Sequence, residues 1–231
     1  MMISYETCLE ASELTKQIYS VETQESTGNM LFFYEHSCGV EITVVKNDLL
    51  ENLYVVFRGS ESWTDWKYNF RFWSKNLDNN IRIHNGLYKQ IVENFDEFYD
   101  KINKYISLYP NYNVYVTGHS IGAAQSTVFS YMCCTRHQEI IPIISFCGPK
   151  IGNKSFSETI NKFNIPYFRF TQGIDIIPNL PFYGYTGYIH TGIHFHVPST
   201  SWNLLTNHGI ALLCETLKNV PKKNIEQFVI E

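Results

Sequence analysis

The residues best spaced for chemistry in this chain are Gly118-His119-Ser120-Ile121-Gly122. They close the β-branched run VYVT and open a small-residue stretch, AAQS. A serine between two glycines at a strand-to-helix turn suits nucleophilic catalysis. The tight turn strains the central residue, and Gly118 and Gly122 keep side chains out of the strand and helix that meet there. The hydroxyl is lifted clear, and the new helix aims its first amides at the reacting oxygen. A serine attacks poorly, however, unless a histidine takes its proton and an acid orients that histidine. After Ser120 there is one aspartate, Asp175, in TQGIDIIPNLP just past an apolar run. The glutamates at 139, 158, 215, 226 and 231 fall on helical stretches or the tail. Four histidines follow Asp175: His190, His194, His196 and His208.

Other chemistry-bearing residues read more plainly. His194 and His196 would share one face of a strand, but no cysteine or carboxylate stands near them to complete a metal site, so no metal is expected. The serine chemistry needs no cofactor. Six cysteines without CxxC spacing read as reduced, buried side chains; a disulfide framework would require export. Trp63, Trp66, Phe70 and Trp73 fall on one arc if residues 63–73 are helical. That arc has the pattern of a helix packing its aromatic face on the sheet.

These residues need a frame. A chain of 231 residues suits a single domain, 1–231, and its 44 % apolar content excludes general disorder. A net charge of -4 offers no field for nucleic acid, and there is no apolar run of about 18 residues to span a membrane. MMISYETCLEASELTKQIYS lacks a basic start followed by an apolar block. The expectation is therefore no secretion signal and a cytoplasmic protein.

NMLFFYEH and VEITVVKN read as strands around Cys38-Gly39, and NLYVVFRG as a buried strand. Apolar residues three or four apart from Leu87 to Leu108 predict one long helix stopped by Pro110. Strand NVYVTG, a helix over 120–137, strand IIPIISFCG, a polar helix near 155–163 and strand PYFRFTQG follow. A Pro/Gly-rich loop, the extended piece IHFHV and a closing helix over WNLLTNHGIALLCETLKNV complete the chain. Alternating strands and helices predict an α/β fold, a mostly parallel central sheet with helices on both faces. Gly-x-Ser-x-Gly there is the nucleophile elbow of the α/β-hydrolase fold, whose chain order is serine, acid, histidine.

From Tyr54 to His208 the chain resembles the lipase class 3 family. VVFRGSESWTDWKYNFRF is similar to its FRG(T/S) strand end and DW segment, and IRIHNGLYKQI to its VH.GF stretch. VTGHSIGAA is similar to its GHSLGGA elbow, SFCGPKIGN to FG.PRVGN, and DIIPNLPFYGYTGYIHTG to its D.VP.LP segment. The resemblance implies Ser120 as nucleophile, Asp175 as acid and His208 as base, and an oxyanion hole from the amides of Ser60 and Ile121. It gives His84, His119 and His190 supporting positions, and it implies a second reading of Trp63, Trp66, Phe70 and Trp73, as a lid after Ser60 over an apolar acyl pocket. His208 also fits because the chain must return over the serine after its last strand. The implied activity is hydrolysis of lipid esters, most simply acylglycerols, by a protein peripheral at lipid surfaces. A phospholipase A1, a short-chain esterase or an inactive lipase-like scaffold would share the pattern.

Overall fold

The computed structural model describes residues 3–19, 29–59, 74–78, 80–182, 186–219 and 229–230. Ser4 caps the first helix, α1 (Tyr5–Gln17), its hydroxyl accepting from the Thr7 amide. The first two predicted strands are β1 (Met30–Glu35) and β2 (Glu41–Asn47), antiparallel across a turn that holds Gly39 at a φ of +81°. β3 (Asn52–Phe57) is buried at every position, as a continuous apolar run should be inside a parallel sheet. β4 (Ser74–Asp78) pairs antiparallel with β5 (Ile81–His84).

The long predicted helix is divided. A turn, Asn85–Leu87, passes into a π-helix, Tyr88–Val92, and α2 (Phe95–Ile106) begins only after Asn94. Asn94 marks the break: its Nδ2 donates to the carbonyls of Lys89 (2.8 Å) and Gln90 (3.1 Å). The apolar spacing survives such a break, so periodicity alone does not reveal it.

β6 (Asn113–His119) leads through Ser120 into α3 (Ile121–His137). β7 (Ile143–Phe146), β8 (Gly152–Asn153), α4 (Lys154–Lys162) and β9 (Tyr167–Gln172) follow. Beyond the Asp175 loop come β10 (Tyr188–Ile189), β11 (Ile193–Val197), α5 (Leu204–His208), α6 (Ile210–Asn219) and β12 (Val229–Ile230). The closing helix is thus two helices. Gly209, extended at φ -69° and ψ 123°, separates them.

The main sheet runs β1-β2-β3-β6-β7-β9-β11-β12. Its pairs from β3 to β11 are parallel, and the pairs at both margins are antiparallel. A second antiparallel sheet, β10-β8-β5-β4, was not expected; its strands are too short to show alternation. Successive residues of the central strands point to opposite faces. Val55, Phe57 and Val116 pack with Phe95 of α2 and Phe129 of α3, while Tyr54, Val56 and Tyr115 pack with Ala11 of α1 and Leu213 of α6. Among the described residues no helix is long and apolar enough to cross a membrane. Strands β6, β7 and β9 all end on one edge of the sheet, where ligands collect in this kind of architecture.

Candidate active site

Ser120 has φ 58° and ψ -124°, a backbone state that non-glycine residues avoid. The surroundings leave it no alternative. A Cβ on Gly118 would stand 2.4 Å from the Gly122 carbonyl carbon, and one on Gly122 would stand 2.3 Å from the Phe57 carbonyl oxygen. Strand, turn and helix therefore meet at backbone contact. The Ser120 amide donates to the Phe146 carbonyl (3.0 Å), which ties the turn to β7. Ile121 opens α3, so its N–H is among the amides that a helix start leaves outside the intrahelical ladder.

Asp175 follows β9 and is buried, its Oδ1 accepting from the Ile177 amide at 3.0 Å. His208 ends α5. Its Nδ1 lies 2.8 Å from Asp175 Oδ2, and its Nε2 lies 2.9 Å from Ser120 Oγ. A carboxylate only accepts, so Nδ1 carries the proton. Nε2 then accepts from the serine hydroxyl. The structure thus brings together Ser120, Asp175 and His208 from three separate stretches of chain. His190 is elsewhere: its Nε2 donates to the Pro178 carbonyl at 2.6 Å, and burial pushes its pKa down to about 3. His194 and His196 both meet the Thr171 hydroxyl, at 2.8 and 3.1 Å. Ser60, Trp63, Trp66, Phe70 and Trp73 lie outside the described residues.

Two residues stand closer to this chain of contacts than the sequence suggested. His119 is buried, its Nε2 2.6 Å from the His208 carbonyl oxygen and its Nδ1 3.0 Å from the Tyr19 hydroxyl. Cys147 follows β7 at a φ of +51°, where the quoted family pattern has glycine. Burial and the neighbouring Asp175 carboxylate raise its pKa well above the ordinary thiol range, so it stays protonated. The departure from FG to FC was the available signal. Among the described residues, the only grouping of metal-ligating atoms is His119, Cys147 and His208, within 4.8 Å of one another. Both rings already have each nitrogen in a hydrogen bond, and the thiol is protonated. These donors therefore fit the serine arrangement better than a cation.

The comparisons with known proteins give the family and the fold. Residues 54–185 match the lipase (class 3) family, which is more than half of the chain, and the chain belongs to that family. Lipases of Rhizopus niveus and Rhizomucor miehei are each 27 % identical to it, over 70 % and 68 % of this chain and 42 % and 45 % of theirs. A Caenorhabditis elegans lipase is 33 % identical over 60 % of this chain and 40 % of its own. The chain spans less than half the length of these curated relatives. Among solved structures, lipase II from Rhizopus niveus superposes with a TM-score of 0.75 at 20 % identity, over 84 % of this chain and 81 % of that one. The Rhizopus microsporus var. chinensis lipase gives 0.74 at 18 %, over 84 % and 74 %. The fold is the α/β-hydrolase fold.

Proposed function

We propose that this protein is a serine carboxylic-ester hydrolase acting on acylglycerol-type lipids. One observation carries the reading: the Ser120–His208–Asp175 hydrogen-bond chain, seated on a strained serine at a helix start. One solved structure of the same fold is titled as a triacylglycerol lipase with a serine-protease triad. A relative from Penicillium cyclopium is named a mono- and diacylglycerol lipase.

In this mechanism Ser120 Oγ attacks the ester carbonyl as its proton passes to His208 Nε2. Asp175 holds Nδ1–H and stabilises the imidazolium that forms. The Ile121 amide donates to the oxyanion, and the family position of Ser60 supports its amide as the second donor. His208 returns the proton to the leaving alcohol, and water cleaves the acyl-enzyme by the same route in reverse.

The expected substrate surface is a neutral lipid–water interface. Residues 176–214 contain no Asp, Glu, Lys or Arg, and this stretch contains α5 with His208. It exposes Trp202 (89 %), Leu204 and Leu205 within six residues of that histidine in the chain, together with Phe182. An uncharged apolar rim suits triacylglycerol or diacylglycerol rather than anionic lipid, which the net charge of -4 would repel.

The test combines fluorophosphonate labelling with turnover on triacylglycerol, diacylglycerol, phospholipid and soluble short-chain esters. Labelling at Ser120 with the highest rate on neutral acylglycerol is expected. Preference for phospholipid or for dissolved esters would replace the substrate assignment. A well-folded protein inert to all of them would overturn the enzymatic reading.

A further inference from the structure

His208 is the last residue of a five-residue helix, and Gly209 turns the backbone away from helical geometry. The final carbonyls of a helix lack intrahelical donors, and one that is buried must find another. The His208 carbonyl finds it in His119, at 2.6 Å. A carbonyl can only accept, so His119 Nε2 carries the proton. On a neutral ring Nδ1 must then be an acceptor. The Tyr19 hydroxyl, 3.0 Å away, donates to it. Burial first, and then the charge His208 can carry, push the His119 pKa down to about 3, which keeps that ring neutral beside His208. The two imidazole centroids are 4.7 Å apart, and the tyrosine ring meets His119 edge-on at 5.9 Å.

We infer that Tyr19 and His119 form a positioning relay that fixes the backbone of His208, and so the imidazole against Ser120. The relay runs from Tyr19 O–H to His119 Nδ1, and from His119 Nε2–H to the His208 carbonyl. Its outer member is itself anchored. The Arg58 guanidinium lies 5.7 Å from the Tyr19 ring centroid and is held by Glu41 at 2.6 Å. The Tyr19 oxygen also fills the space over Gly59, where a Cβ would stand 2.2 Å from it. Tyr19 thus touches the strand end before Ser60 and the support of His208 together. Both Tyr19 and His208 lie outside the family-matched block, so flanking segments supply the base and its outer anchor. His119 touches no reacting atom and acts through His208.

The inference rests on the reading of Ser120, His208 and Asp175 as a triad. The experiment measures kcat, KM and fluorophosphonate labelling rate, with melting curves, on wild type, Ser120→Ala, Tyr19→Phe, His119→Leu and His119→Gln. His119→Leu should lower kcat on a soluble ester by about 10- to 100-fold with KM little changed, because a small misplacement of the base acts on the reaction step. Tyr19→Phe, which removes one oxygen, should lower kcat by roughly 3- to 10-fold on the same reasoning. His119→Gln keeps a donor near the Nε2 position and should restore most of the loss, a rescue that general destabilisation would not give. Should His119→Leu fail to fold, Tyr19→Phe and His119→Gln carry the comparison. Folded Tyr19→Phe and His119→Leu proteins at full kcat, beside a dead Ser120→Ala, would overturn the relay alone. A wild type inert to ester and probe would overturn the triad reading and the relay with it.

Discussion

A histidine, a carboxylate and a nucleophilic side chain meet both on the β1–β2 hairpin and at the carboxyl edge of the sheet, and these clusters differ in backbone and burial. On the β1–β2 hairpin, His36 Nδ1 lies 2.8 Å from Cys38 Sγ, and its Nε2 is 3.6 Å from Glu97. At the carboxyl edge of the sheet, His208 bridges Ser120 and Asp175 at 2.9 and 2.8 Å. The hairpin cluster has an acid whose side chain is 46 % exposed, whereas the Asp175 side chain is 1 % exposed. Cys38 is absent from the positive-φ positions that include Ser120, and a strand, β2, follows it rather than a helix. The burial that Cys38 does have raises its pKa, the wrong direction for a thiolate. Residue types at hydrogen-bonding distance do not make a site. A strained, preorganised backbone and a dry acid distinguish the inner cluster from the outer one.

The comparison breaks most clearly at the serine. Ser120→Ala should fold and lose ester hydrolysis by about 10³-fold or more, since a methyl group forms no acyl-enzyme. Cys38→Ala should leave kcat unchanged. Equal losses in the two variants, by steady-state kinetics with melting curves, would erase the distinction between the clusters. The histidines come next. His208→Ala should abolish turnover, while His190→Ala should keep at least about a tenth of it, a barrier change below about 1.4 kcal/mol. A dead, well-folded His190→Ala beside an active His208→Ala would reverse the assignment.

A smaller effect belongs to the rim. Trp202→Ser with Leu205→Ser should weaken adsorption to neutral lipid emulsions by about tenfold, the scale of losing two exposed apolar anchors. Hydrolysis of dissolved esters should barely change. Adsorption should also be insensitive to salt, and strong salt dependence would point to charge elsewhere as the anchor. The smallest effect is on acid stability. His119 and His190 are held neutral with pKa values near 3, lowered from 6.5. Between those values the unfolded chain binds protons that the folded one refuses, so stability should fall as pH drops through that window. His119→Gln should make the fall shallower. A melting temperature that stays level from pH 6.5 to pH 4 would contradict the burial argument.

The sequence made the parallel core and the elbow legible because continuous apolar strands and a glycine-flanked serine are local signals. Ser120, Asp175 and His208 were likewise readable from chain order and family resemblance. Helix α1 was not. Its buried face is Thr7, Cys8, Ala11, Ser12, Leu14 and Thr15, mostly small or polar, so its hydropathy shows no clear stripe. Thr15 and Thr117 instead meet hydroxyl to hydroxyl at 3.2 Å. The link from Tyr19 to His119 spans 100 residues and exists only once strand β6 and helix α1 have packed. The division of the 87–108 helix escaped for another reason: Asn94 redirects carbonyls without altering the apolar spacing around it.

The pairing of α1 with α6 sets the smallest piece worth expressing. Glu13 meets Lys218 at 2.8 Å, and Cys214 Sγ donates to the Ser12 carbonyl at 3.2 Å. A fragment cut to residues 54–185 would retain the serine and the acid but discard the proposed base, its tyrosine anchor and the clasp that closes one end of the chain on the other. A library or a fusion built on the recognisable block alone would therefore display the proposed nucleophile without its proposed base. Conversely, two separately produced fragments, one carrying each flank, would have to meet through these same α1–α6 contacts.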